Sequence, residues 1–66
     1  MHEWALAEAV VAKTLEVARE RGISTIREVV VALGELQDVD RSAFEFGLTA
    51  NQRTTAELAD ARFVFE

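Results

Sequence analysis

The sequence contains no cysteine, no proline and no tyrosine, and it has only three glycines and one histidine. Without cysteine there is no disulfide to staple a small fold and no thiolate to hold a metal ion. No glycine-rich loop is present to cradle a phosphate, and Ser24 and Ser42 have no histidine near them in sequence to act as a base. Positive charge is scarce as well. Seven Lys and Arg stand against twelve Asp and Glu, a net charge of −5. That balance disfavours a nucleic-acid backbone and an anionic membrane surface, both of which ask for clustered positive charge. No apolar run approaches the roughly 20 residues of a membrane span. Glu3 and Glu8 lie near the start with no early Lys or Arg, so the positive opening of a signal peptide is missing. A soluble, cytoplasmic protein is expected.

What is present fits one domain. A chain of 66 residues buries only about 60% of the surface that its unfolded form exposes. The fold is therefore either marginal alone or completed by a partner. Residues 4–20 read as a helix: Ala7, Val10, Val11, Thr14, Val17 and Ala18 recur at spacings of three and four, and Gly22 stands where a left-handed residue would stop it. Residues 26–33 read as a strand around Val29, Val30 and Val31, with apolar residues on both faces and hence little solvent on either side. Gly34 ends that run. Asp38 or Asp40 can cap a second helix over residues 41–50, with Ala43, Phe44, Gly47 and Leu48 as its apolar stripe. A close approach of helix to sheet would account for Gly47. Turn-tolerant residues fill 51–59, and Ala61, Phe63 and Phe65 then alternate with Arg62, Val64 and Glu66 at strand period.

The order helix, strand, helix, strand predicts an α/β fold: two helices on one face of a small sheet, with a strand–helix–strand crossover and parallel strands. Two strands are few for a stable sheet. Their unpaired edges leave room for a homodimer by strand pairing.

The twelve carboxylates mostly lie at helical spacings that suit a solvated face, and no nucleophile–base pair stands out. Catalysis is not expected. The exception to this plain inventory is Met1-His2-Glu3-Trp4. A free α-amine has a pKa of about 8, so a metal can displace its proton near neutrality. The His2 Nδ1 can close a ring with its own backbone nitrogen. Amine, amide nitrogen and imidazole nitrogen then share a plane, and the Glu3 amide nitrogen can complete it. Four nitrogens in a plane suit Ni(II) or Cu(II), whereas Zn(II) prefers a tetrahedron. The Glu3 carboxylate can serve as a weak out-of-plane ligand or an outer acceptor. A bulky second residue disfavours loss of the initiator methionine, so Met1 supplies the amine. Read plainly, His2 is instead a solvated residue near a terminus. Trp4 either packs the first helix onto the sheet or shields one side of such a metal site, and the first is favoured because aromatics chiefly contribute burial. Phe44, Phe46, Phe63 and Phe65 are read as core or partner contact.

The run from Met1-His2-Glu3-Trp4-Ala5-Leu6 to Val10 resembles the opening of HypA, the hydrogenase-maturation nickel metallochaperone, in its archaeal form. Val31-Ala32-Leu33-Gly34-Glu35-Leu36-Gln37-Asp38-Val39 resembles that family's second hallmark. Phe44-Glu45-Phe46 and Thr54-Thr55-Ala56-Glu57-Leu58-Ala59 resemble later segments more loosely. The resemblance implies a nickel site made by the Met1 amine, the His2 imidazole and the backbone nitrogens of His2 and Glu3. It also implies delivery of Ni(II) to the [NiFe]-hydrogenase large subunit together with the GTPase HypB, and in some members service to urease.

The family also carries a zinc domain with paired Cys-x-x-Cys motifs, followed by a last strand that returns to the sheet. With no cysteine here, structural zinc is not expected. Residues 1–66 then read as the nickel-binding domain alone, incomplete relative to the full family fold. Arg53 stands where the family usually has glycine, so that turn is expected to differ. The rival expectation is a truncated interaction module without a metal role that docks on a maturation partner.

Overall fold

The computed structural model describes residues 2–32 and 38–66. Its elements follow in the order α1 (Glu3–Glu20), β1 (Glu28–Val31), α2 (Arg41–Arg53), a 3-10 turn (Ala56–Leu58) and β2 (Arg62–Phe65). Helix α1 begins one residue before the expected start. His2 is its extended N-cap residue, with ψ 96°, and its carbonyl accepts the Leu6 N–H at 3.0 Å. Gly22 takes φ +68° as expected. The Ile23 N–H then donates to the Ala18 carbonyl at 2.8 Å and the Gly22 N–H to the Arg19 carbonyl at 3.2 Å. These two bonds satisfy carbonyls that the helix end would otherwise leave without partners. Ala7, Val11 and Ala18 form the buried face of α1.

Asp40, not Asp38, caps α2: its Oδ1 accepts the Ala43 N–H at 3.2 Å. The helix runs three residues past the expected end at Ala50. Asn51 and Gln52 look like turn residues in sequence, but each has an acceptor that rewards the helical conformation. The Asn51 side chain donates to the Gly47 carbonyl at 2.8 Å. The Gln52 Nε2 reaches beyond the helix to the carbonyls of Leu58 at 2.9 Å and Ala61 at 2.6 Å. The Thr54 and Thr55 hydroxyls donate back to the Asn51 carbonyl and close the helix. Arg53 is thus the last residue of α2. The 3-10 turn that follows carries Leu58 into the core, where it is fully buried with Phe44 and Leu48. Full burial of such a side chain stabilises by about 1.5–3 kcal/mol. Of the expected stripe, Ala43 is exposed.

Strands β1 and β2 pair in parallel, with Glu28 opposite Arg62, Val29 opposite Phe63, Val30 opposite Val64 and Val31 opposite Phe65. Helix α2 lies in the connection, as the α/β expectation required. Both strands are shorter than expected. The Ile26 N–H bonds to the Glu57 carbonyl instead of a strand, and Leu33 and Gly34 lie outside the described residues. The expectation of little solvent on either face of the first strand is corrected: Val30 is 51% exposed. The core formed by both helices meets one side of the sheet, carrying Val29, Val31, Phe63 and Phe65. The Phe65 ring meets Phe44 edge-on, with centroids 6.2 Å apart, and carries the Arg41 guanidinium 4.7 Å above it. No helix of the described residues is long and apolar enough to cross a membrane.

Gly47 is corrected too. It serves a close approach of helix to helix, not of helix to sheet. A Cβ built on Gly47 would stand 2.9 Å from the Ala7 Cβ and 3.7 Å from the Trp4 Cα. Ala7 is fully buried and has no flexible end to move aside. In Gly47→Ala, overpacking of about 1–3 kcal/mol outweighs the roughly 1 kcal/mol that alanine gains in helix propensity. The expected outcome is a lower urea midpoint by circular dichroism. Gln52→Ala should also destabilise the fold, by about 1–2 kcal/mol, because two carbonyls lose their donor.

Candidate metal centre at the start of the first helix

The N-terminus of α1 is built without the usual cap. The residue at such a position commonly supplies a side-chain oxygen to the free N–H groups of the first turn. His2 makes no side-chain cap bond, and its side chain is exposed. The first hydrogen bond of the helix is Leu6 N–H to His2 carbonyl. The backbone nitrogens of His2 and Glu3 precede it, in the stretch where helical N–H groups have no carbonyl partner. A metal could take the Glu3 nitrogen without breaking any bond of the helical ladder. Met1, the expected amine donor, lies outside the described residues.

The Glu3 carboxylate is already engaged. Its Oε1 accepts the Asp40 N–H at 3.2 Å, which ties the start of α1 to the start of α2. The Asp40 N–H first, and then the N–H of Glu3 itself, holds the Glu3 carboxyl below its ordinary range. The sequence left two roles at a metal open to this carboxylate, weak ligand or outer acceptor; in the structure one of its oxygens is taken up by the Asp40 N–H. The link to Asp40 was not legible in sequence, where Asp40 offered only its helix-capping side chain.

Trp4 departs from expectation. It is 50% exposed and lies against Phe46 of α2, with ring centroids 6.5 Å apart and planes at 48°. It therefore packs helix on helix, not helix on sheet. Phe46 is 69% exposed and is not core. His2, Glu3, Trp4, Ala43 and Phe46 together line an open cleft of about 360 Å³.

Elsewhere the acidic groups behave as a solvated face. Lys13 pairs with Glu16, Arg19 with Glu57, Arg41 with Glu45, and Arg62 with Glu28, at 2.7–3.7 Å. Exposed pairs of this kind contribute about 0–1 kcal/mol each. The Glu57 N–H and the Arg19 guanidinium hold the Glu57 carboxyl below its usual range. Among the described residues no three His, Asp or Glu side chains gather where they could hold a metal.

Comparison with known proteins agrees with the resemblance. A family model described as "Hydrogenase/urease nickel incorporation, metallochaperone, hypA" matches residues 1–66. The chain is 45% identical over 67 aligned positions to the "Hydrogenase maturation factor HypA" of Pyrococcus horikoshii, covering all of this chain and 47% of that protein. It is 40% identical to the protein of the same description from Thermococcus sibiricus, covering all of this chain and 49% of that one. The Thermococcus kodakarensis protein is 45% identical, with 48% of its length covered. The chain spans about half the length of the curated relatives it matches.

The Glu3–Asp40 link has a defined pH dependence. Because the folded Glu3 carboxyl titrates below its unfolded value, its contribution is complete above that unfolded value and fades as pH falls through the lower folded one. The Asp40 amide resonance should stay constant through neutrality and shift only in acid. In Glu3→Gln that acid shift should become smaller.

Proposed function

The chain belongs to the HypA family, and from that premise we propose that it is the nickel-binding part of a metallochaperone. In this reading Ni(II) is cargo. The Met1 amine, the His2 imidazole and the backbone nitrogens of His2 and Glu3 hold it, and Glu3 supplies its carboxylate as an outer acceptor. The family resemblance supports passage of the metal to the hydrogenase large subunit in the cytoplasm, with the GTPase HypB as partner. Nothing is catalysed. The observation that carries the reading is the exposed, uncapped His2 ahead of the first helical hydrogen bond.

The helix end imposes a chemical condition on the donor set. The N-terminus of a helix is equivalent to roughly half a positive charge. Two such ends, of α1 and α2, meet where the Glu3 carboxylate accepts the Asp40 N–H. A bare dication is unwelcome there. A donor set with its own negative charge is favoured, and deprotonated amide nitrogens carry that charge. Binding then releases one proton from the ammonium and one from each amide used, so affinity falls as pH falls. Return of those protons, with ligands from a receiver, frees the metal. The exposure of Trp4 and Phe46 favours the rival reading, a docking module without metal.

The deciding experiment is a nickel titration on tag-free protein, followed by calorimetry and absorption. One equivalent should bind with a planar-type band. His2→Ala and an N-terminally acetylated form should each weaken binding by more than about 100-fold, beyond the 10–100-fold that loss of an outer partner costs. Their circular dichroism should be unchanged, because the His2 side chain makes no cap bond. Equal uptake by all three forms would sink the nickel site and leave the docking module.

A further inference from the structure

We propose that Trp4 and Phe46 form an apolar cover over one face of the bound nickel, which holds the metal at four ligands. The inference rests on the nickel reading above and assigns to it a determinant of coordination number and metal selectivity.

The fold makes little use of these two rings. Trp4 and Phe46 are among only five aromatic residues in the chain, yet they are 50% and 69% exposed. Fully buried, side chains this large would contribute to stability. They come from different helices and meet at 6.5 Å. The small contact of Gly47 with Ala7 lets them do so: the Trp4 ring atom Cε3 lies 3.7 Å from where a Gly47 Cβ would stand. Together with Ala43 they make the apolar wall of the cleft whose polar members are His2 and Glu3. The nearest basic residue of α2 in sequence, Arg41, is turned to Phe65 and Glu45.

A planar four-nitrogen complex of Ni(II) is open above and below the plane. Water or a second donor entering along that axis converts it towards six ligands. A water molecule held against an aromatic wall loses hydrogen-bond partners, which disfavours entry from that side. The cover therefore biases the site to the planar state. Ni(II) and Cu(II) accept that geometry, and Zn(II) does not. With one face covered, the other stays open to an incoming ligand from a receiver.

The test uses Phe46→Ala, Phe46→Leu and Trp4→Ala, each loaded with one equivalent of nickel. Planar four-coordinate nickel is diamagnetic and six-coordinate nickel is paramagnetic, so susceptibility by NMR reads the six-coordinate fraction directly. The wild type should be mainly diamagnetic. Phe46→Ala and Trp4→Ala should raise the paramagnetic fraction several-fold and lower the preference for nickel over zinc in competition by about tenfold, in keeping with loss of part of an apolar wall. Phe46→Leu keeps apolar bulk and should stay near the wild type. Circular dichroism controls for folding, and the exposed Phe46 keeps the test valid should Trp4→Ala unfold. A His2-dependent wild-type complex that is already paramagnetic, or one whose susceptibility is the same in Phe46→Ala, would overturn the cover alone. Absence of any His2-dependent nickel binding in the wild type would overturn the nickel reading and the cover with it.

Discussion

The contact between Gly47 and Ala7 is the constraint on which the rest of this small structure depends. A Cβ at position 47 would come within 2.9 Å of the Ala7 Cβ, so the helices sit as close as their backbones allow. That closeness places Phe44 and Leu48 against α1 with no exposed surface worth counting. It also brings the first turn of α1 beside α2. Glu3 can then reach the Asp40 N–H, and Trp4 can reach Phe46. Core and candidate site are therefore one piece of packing. A change that parts the helices loosens the core and separates the groups around His2 together.

The two-stranded sheet takes a smaller part. Its parallel register puts Val29, Val31, Phe63 and Phe65 on the side that meets the core, and its other side holds Val30 in solvent. Two strands alone are marginal, so the sheet relies on what packs against it. Gln52 supports this from the far end of α2. Its two bonds to the Leu58 and Ala61 carbonyls hold the turn that leads into β2. The interior is thus clamped at Gly47, near the middle of α2, and at Gln52, near its end.

Much of the fold was legible because period and punctuation are local. Alanine and valine spacing marks α1, Gly22 marks its end, and the pair Asp38 and Asp40 marks the start of α2, with Asp40 chosen only by the structure. What escaped depends on partners far along the chain. Asn51 and Gln52 look like turn residues until the Gly47, Leu58 and Ala61 carbonyls are in place as acceptors. Three consecutive valines look buried on both faces until the structure shows that only one face of β1 meets the core. Gly47 announces a close approach but not its partner. At the candidate site, Met1, His2 and Glu3 could be chosen from donor chemistry and from the resemblance, because those arguments need only neighbouring residues. The Asp40 amide at Glu3 and the Phe46 ring at Trp4 are contacts between helices, and no local pattern encodes them.

The uncapped start of α1 ties stability to function. Ser, Thr, Asp or Asn at position 2 could accept from a free N–H of the first turn, and such a cap typically contributes about 0.5–2 kcal/mol. His2 forgoes that contribution. The fold recovers part of it from the neighbouring residue, since the Glu3 carboxylate sits at the positive ends of both helices and accepts from Asp40. This division leaves the imidazole without a cap bond while the turn behind it stays anchored. A cap at position 2 would accept from the N–H of Trp4 or Ala5, and it would take the place of the imidazole that the proposed metal site requires. In the proposed reading, the stability forgone at His2 is what gives the helix start an imidazole in place of a cap, and a cargo site that must both take up and release its metal needs a side chain that the fold itself does not claim.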